Sequence, residues 1–439
     1  ESLLTMDDLL QKIEAKTAKI AVIGLGYVGL PLAIDFAVAG FRVVGIDKNQ
    51  ARVADINNGH NYISDVSDDT MRAVTQNGHL RGTTNFSVLQ EADAICICVP
   101  TPLSKTKDPD VSSILHTTDS IHQYLHSQQL ICLESTTYPG TTCELVLPRL
   151  SETGLRVGKD FFLAFSPERI DPGNAHFKLK NTPKVIGGTT PECLKLAEKL
   201  YGNIVDHLVP VSSTEAAEMV KLLENTFRSV NIGLVNEVAI MAQKLGLDVW
   251  EVIHAASTKP YGFMPFYPGP GLGGHCIPVD PHYLAWKLKT LNYKARFIEM
   301  AGEINAAMPQ YVVDMIAEGL NQIKKSVNGS NILVLGLSYK KDVADIRESP
   351  ALDIITLLQA RRAVISWNDP YISDYPTTPA PTFIKDLTPS ALTTADCVVI
   401  VTDHSSYDWA FVVANSTLII DTRNATKDVQ SPPGRVLKL

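Results

Sequence analysis

The sequence predicts an α/β chain with two doubly wound domains joined by a central helical region. Three observations predict it. A short apolar run, Lys19-Ile20-Ala21-Val22-Ile23, leads straight into Gly24-Leu25-Gly26-Tyr27-Val28-Gly29 and then into a helical pattern. Strand-like apolar runs alternate with helical patterns up to about residue 211, and again from about residue 331. Between them, from 212 to about 310, the pattern is mainly helical. Strands buried on both faces read as continuous apolar runs, and their alternation with helices marks a parallel, Rossmann-like sheet. The expected domains are 1–211, 212–310 and 311–439.

The elements follow in order. After the strand at 19–23, a helix is expected from about Gly29 to Ala39, with Gly40 as its stop signal. A second strand covers 41–47 and ends in Asp47. Further strands end in characteristic loops: Ala94 to Val99 before Pro100-Thr101-Pro102, and Leu130 to Leu133 before Glu134-Ser135-Thr136-Thr137. Ser212 and Glu215 have the spacing of a capping box, which would open a long helix to about Leu245. A Pro/Gly-rich loop at 260–281 interrupts the helical region, and a loop of that length is suspected of function. Strands are expected at 331–335, 364–367, 397–401 and 418–421. The turn after the first of these, Gly336-Leu337-Ser338-Tyr339-Lys340, lacks the first domain's glycine pattern, so no second dinucleotide is expected there.

Composition narrows the class. The chain has 439 residues, 45% hydrophobic and 20% charged, enough for large buried cores. Its 39 Lys and Arg against 47 Asp and Glu give a net charge of -8. No basic run stands out, so nucleic acid is a poor partner. No stretch approaches the roughly 18 apolar residues needed to cross a bilayer. The N-terminal stretch lacks the basic and apolar regions of a signal peptide, so a cytoplasmic protein without a membrane partner is expected. The seven cysteines, at 96, 98, 132, 143, 193, 276 and 397, are irregularly spaced and suggest neither a disulfide framework nor a metal site.

Two stretches carry chemistry. In the first glycine cluster, Gly24 permits a tight turn, Gly26 lets backbone approach a pyrophosphate, and Gly29 allows close helix–strand packing. The following helix N-terminus offers unpaired N–H groups to the anion. Asp47 ends the second strand 18 residues after Gly29. Its carboxylate can accept from both ribose hydroxyls and would repel a 2′-phosphate, which favours NAD over NADP. Arg52 could face the adenosine end, or could equally be a solvated surface residue. The second stretch is Pro268-Gly269-Pro270-Gly271-Leu272-Gly273-Gly274-His275-Cys276, with Asp280 four residues on. Its glycines let backbone come close to a ligand, and a thiolate is a strong nucleophile toward a carbonyl. Lys221 and Asn225 are spaced i, i+4 and so share one helix face.

These motifs resemble the UDP-glucose/GDP-mannose dehydrogenase family, and the resemblance runs from about Lys19 to Arg423. Carrying it are Gly24 to Pro31, Val99-Pro100-Thr101-Pro102, Glu134-Ser135-Thr136, Ser166-Pro167-Glu168-Arg169, Lys221 with Asn225, Gly273-Gly274-His275-Cys276 with Asp280, and Arg347-Glu348-Ser349. It implies an NAD domain, a central region that forms a homodimer, and a UDP-binding domain. It also implies four-electron oxidation of a UDP-sugar at C6, with two NAD reduced. Cys276 would attack the C6 aldehyde, and a second hydride transfer would make a thioester. Lys221 and Asn225 would stabilise the oxygen anions, Asp280 would assist proton removal, and Thr136 and Glu168 would handle the hydrolytic water. Gly24, Gly26, Tyr27, Val28, Gly29, Asp47, Arg52, Val99, Pro100, Thr101, Ser135, Thr136 and Arg347 would contact NAD. Glu168, Arg169, Lys221, Asn225, Tyr267, Gly271, Gly273, Lys340 and Arg423 would contact the UDP-sugar.

The chain departs from the glucose enzymes at Pro172, where a second Glu is common, at Pro260, where an Arg is expected, and at His275. The Glu134–Gly140 and Phe266–Gly271 segments look like the N-acetylhexosamine branch, found in surface-polysaccharide pathways. UDP-N-acetylglucosamine is therefore the foremost expected substrate, with UDP-glucose, UDP-GalNAc and UDP-ManNAc as alternatives. A non-enzymatic nucleotide-sugar sensor would require the set Cys276, Lys221, Asn225 and Asp280 to be incidental.

Overall fold

A computed structural model describes residues 5–63, 66–104, 108–171, 174, 176–274 and 276–439. The chain divides into two compact units, residues 1–224 with 282–293, and residues 225–281 with 294–439. The division falls within two helices, Thr214–Leu245 and Cys276–Thr290.

In the first unit the strands are β1 (Lys19–Ile23), β2 (Arg42–Ile46), β3 (Leu80–Thr83), β4 (Ala94–Ile97), β5 (Gln129–Leu133), β6 (Phe161–Phe165), β7 (Lys184–Gly188) and β8 (Leu208–Val211). They lie in the order β3-β2-β1-β4-β5-β6-β7-β8. The first six places are the doubly wound dinucleotide order, with its crevice between β1 and β4. Strands β3, β6, β7 and β8 were not anticipated from the sequence, and β6 pairs antiparallel with β7. Alternate residues feed opposite faces of this sheet. Ile20 and Val22 join one buried cluster with Leu30, Ala33 and Phe36 of the helix Gly29–Val38. Ala21 and Ile23 join the cluster on the other side, with Ile114 and Ile121.

The second unit holds β9 (Asn331–Leu335), β10 (Val364–Asn368), β11 (Thr382–Phe383), β12 (Cys397–Ile400), β13 (Ile419–Asp421) and β14 (Val436–Lys438). Their order, β11-β10-β9-β12-β13-β14, repeats the doubly wound arrangement. Ile332 and Val334 pack on one side of this sheet, Leu333 and Leu335 on the other.

The two first turns correspond closely. Gly24 (φ +90°) and Gly336 (φ +86°) both take the left-handed conformation. Leu25 N donates to Asp47 Oδ2 at 2.9 Å, and Leu337 N donates to Asp369 Oδ2 at 2.7 Å. The acidic residues then differ. Asp369 also accepts from the backbone of Ser338, Tyr371 and Ile372 and lies 3.0 Å from His404 Nε2, itself fully buried. Both of its oxygens are engaged by protein donors.

Two local expectations are corrected. The long helix is capped one residue later than the capping-box spacing suggested: Ser213 Oγ accepts from Ala216 N at 3.1 Å. Cys276 does not sit in the Pro/Gly loop but opens the helix Cys276–Thr290. The first four N–H groups of a helix have no intrahelical partner, so Pro278 is tolerated there without loss of a bond.

Candidate active site

The glycine cluster expected to hold the cofactor lies in the first unit. Gly29 fits only as glycine: a Cβ would lie 1.8 Å from the carbonyl oxygen of Gly24. Gly26 is the opposite case, since a Cβ there meets nothing within 4 Å. The protein thus leaves open the space that a pyrophosphate would need above the helix N-terminus. Asp47, the expected ribose contact, directly follows β2. Its carboxylate accepts from Leu25 N and, at 2.8 Å, from Asn49 N, while Arg52 Nη1 stands 3.4 Å away. Arg52 also lies 5.9 Å from the ring centre of Tyr62, whose hydroxyl donates to Leu25 O at 2.7 Å. Tyr62 was missed from the sequence, where an isolated tyrosine gives no signal.

Beyond the β4 and β5 ends, the expected loops are tied together. Ser135 Oγ donates to Val99 O at 2.7 Å and Thr101 Oγ1 to Thr136 O at 2.6 Å. Tyr283, fully buried and also missed, donates to Thr101 O at 2.5 Å. Glu168 is buried, and its Oε1 accepts from the backbone of Arg169 and Ile170, both at 2.6 Å. Arg169 pairs with Glu224 at 2.6 Å and donates to Pro183 O at 2.7 Å. Lys221 is buried on the long helix. Tyr27 and Pro100 are exposed, and Val28 and Val99 are partly so.

One helical turn before Lys221, Glu218 clamps the helix to the loop after Thr137. Its carboxylate accepts from Gly140 N at 2.6 Å, Thr142 N at 2.9 Å and Thr142 Oγ1 at 2.6 Å. Burial pushes its carboxyl up from 4.5 to about 7, against those donors. A folded-state value above the unfolded one means that folding takes up a proton between the two. This part of the stability is therefore present below about pH 4.5 and is lost as pH rises toward about 7. The loss amounts to about 3 kcal/mol at most. Denaturant unfolding at pH 5 and pH 8 should show it, and Glu218→Gln should flatten the difference. An unchanged difference in the variant would assign the slope to other groups.

The candidate nucleophile, Cys276, lies in the second unit. Among the described residues Cys276 is the exposed cysteine; Cys96, Cys98, Cys132, Cys193 and Cys397 are buried and Cys143 is intermediate. The partial positive charge of a helix N-terminus favours negative charge on its sulfur. Asp280 lies one turn along the same helix, buried, and accepts from Asn225 Nδ2 at 2.5 Å. The preceding loop is pinned at several points. Asn236 accepts from Gly269 N and donates to Asn305, both at 2.9 Å. Gly274 N donates to Arg347 O at 2.9 Å, and a Cβ at Gly273 would come 2.5 Å from Tyr339 Cβ. Gly271 takes φ +139° against Pro350 and Pro309.

Arg423 Nε donates to Val401 O at 2.8 Å, and its guanidinium would stand 2.6 Å from a Cβ at Gly269. Tyr267 is exposed and stacked on Trp250 at 6.1 Å. Lys340 is partly buried. Arg347 pairs with Asp345 at 2.6 Å and belongs to the second unit, not to the unit that carries the cofactor glycines. Pro172 and His275 lie outside the described residues. Among the described residues no helix is long and apolar enough to cross a membrane, and no group of three or more His, Cys, Asp or Glu could hold a metal.

Comparison with known proteins decides the family. The three domain models of one family match in order: its NAD binding domain over residues 18–205, its central domain over 215–307 and its UDP binding domain over 333–428. The chain belongs to the UDP-glucose/GDP-mannose dehydrogenase family. Within it, the chain is 37% identical over 360 residues to the UDP-N-acetyl-D-glucosamine 6-dehydrogenase of Pseudomonas aeruginosa, covering 82% of this chain and 84% of that one. It is 36% identical over 416 residues to the UDP-N-acetyl-D-mannosamine dehydrogenase of Pyrococcus horikoshii, covering 93% and 96%. The solved structure of the UDP-D-ManNAc dehydrogenase of that organism superposes with a TM-score of 0.85 over 96% of this chain and 98% of the other, at 35% identity. The family uses NAD, and the open space at Gly26 with the carboxylate of Asp47 fits it. The chain is an NAD-dependent UDP-sugar dehydrogenase.

Proposed function

We propose that this dehydrogenase oxidises the C6 hydroxyl of a UDP-N-acetylhexosamine, foremost UDP-N-acetylglucosamine, to the uronic acid, for a surface polysaccharide. The observation that carries the reading is the exposed thiol of Cys276 at a helix N-terminus, with Asp280 one turn on and bonded to Asn225. Bound NAD supplies the hydride acceptor, twice per sugar. Cys276 retains the half-oxidised carbon: its thiolate adds to the C6 aldehyde, giving a thiohemiacetal whose oxygen anion Lys221 and Asn225 stabilise. Oxidation of that adduct leaves a thioester. Water, positioned by Thr136 and Glu168, releases the acid and returns the thiol. Asp280 takes part in proton removal. Preorganised donors at developing oxygen anions are commonly the largest electrostatic contribution, about 3–4 kcal/mol for one donor.

The sugar is read from similarity to relatives named for glucosamine and mannosamine substrates. The test is kcat/KM for UDP-GlcNAc, UDP-ManNAc, UDP-GalNAc and UDP-glucose side by side. The reading expects UDP-GlcNAc to lead; equal or better turnover of UDP-glucose would overturn it. The same reading includes a homodimer. Leu223, Phe227, Leu234, Met241 and Leu245 form a stripe along the long helix and are 47–72% exposed, an apolar face suited to a second copy. A monomeric mass in solution would remove that part.

A further inference from the structure

Glu134, Lys184 and Tyr201 form a buried charged cluster that the reaction above does not consume. Glu134 directly follows β5, Lys184 opens β7, and Tyr201 ends the helix Pro191–Tyr201. Lys184 Nζ donates to Glu134 Oε2 at 2.9 Å, with the two side chains 3% and 0% exposed. Tyr201 donates its hydroxyl to Glu134 Oε1, and Lys184 Nζ stands 5.0 Å from the Tyr201 ring centre. The same ammonium lies 3.4 Å from the carbonyl oxygen of Pro167.

Stability alone is a weak reason for such a pair. Taking two charges out of water costs several kcal/mol per ion, and apolar residues of similar volume often serve as well. What distinguishes this cluster is its covalent neighbours. Glu134 immediately precedes Ser135-Thr136, and Pro167 immediately precedes Glu168. One buried ammonium therefore links the two chain segments that carry Thr136 and Glu168. Thr136 is held a second time through Thr101, and Glu168 through the backbone of Arg169 and Ile170. The first of these ties Thr136 to the loop after β4 and the others fix Glu168 within its own loop; the Lys184 contacts tie the Thr136 segment to the Glu168 segment.

We propose that Lys184, with Glu134, is a positioning residue for thioester hydrolysis, holding the Thr136 and Glu168 loops in register for the attacking water. The inference rests on the reading that these two residues serve the hydrolytic step. It sets Lys184 apart from residues that serve hydride transfer, because the loss falls on one step of the cycle. A misplacement of about 1 Å costs on the order of 100-fold in a positioned reaction.

The test is rapid mixing of enzyme, NAD and UDP-GlcNAc, following NADH, with acid quench and intact mass. In Lys184→Met, two NADH per site should form with far less slowing than hydrolysis suffers, and turnover should then slow about 100-fold while a sugar-acyl adduct accumulates on the protein. Lys184→Arg should restore most of the turnover. Should Lys184→Met fold poorly, Glu134→Gln/Lys184→Met removes both charges together and should give the same accumulation. Turnover at the wild-type rate in a folded variant, or equal slowing of NADH formation and hydrolysis, overturns the proposal. Failure of the underlying reading would show separately, as Thr136→Ala and Glu168→Gln variants that hydrolyse the thioester at the wild-type rate.

Discussion

Cys276→Ala is expected to lower uronic acid formation by about 10⁴-fold or more, the scale at which enzymes lose a covalent nucleophile. The physical reason is retention. Two hydride transfers from one carbon require the aldehyde to stay in place between them, and a carbon–sulfur bond keeps it there. Without the thiol, the first oxidation can still proceed, because it needs only the alcohol, a base and the cofactor. The variant should therefore make a slow single equivalent of NADH and release an aldehyde that a hydrazide reagent traps. Stability should change little, since the Cys276 side chain is exposed. Acid production at the wild-type rate would mean that sulfur takes no part.

Gly29→Ala should have the second largest effect, and on a different property. The new Cβ would stand 1.8 Å from the Gly24 carbonyl oxygen and 3.0 Å from its carbon. Both are backbone atoms of a turn already held at φ +90° between two central strands, so neither can rotate aside. Overpacking of this kind costs about 3 kcal/mol or more. Thermal unfolding should shift down by several degrees, and NAD binding should fall with it. Gly26→Ala makes the contrast. Its Cβ meets no protein atom within 4 Å, so Tm should stay close to wild type. NAD affinity should still fall by about tenfold or more, roughly 1.4 kcal/mol, because the methyl group takes space that the pyrophosphate needs. Equal loss of stability in both variants would contradict this division between a packing glycine and a cofactor glycine.

The ease of reading the fold tracked the range of the interactions involved. The turn at Gly24–Gly29 and the strands at 19–23 and 331–335 were legible because strand, glycines and helix are consecutive in the chain. β8 was hidden by Pro210 in a short edge strand, and β11 by having only two residues. Cys276 read as a loop residue because glycines precede it and Pro278 and Pro281 follow. The helix tolerates Pro278 only because its first N–H groups are unbonded in any case. The candidate site divides the same way. Asp47, Cys276 and Asp280 lie in or beside recognisable motifs. Tyr62, Glu218 and Tyr283 act on Leu25, on Gly140 with Thr142, and on Thr101, contacts that span from 37 to 182 residues of sequence and leave no local pattern.

The most direct measurement is the electron count of one turnover, read together with the mass of the quenched protein. The enzyme is mixed with UDP-GlcNAc and excess NAD, stopped in acid, and digested. The account predicts two NADH for each sugar consumed, and a sugar-acyl group on the peptide containing Cys276. One NADH per sugar with a ketone or free aldehyde as product, or an intermediate held on some other residue, would contradict it.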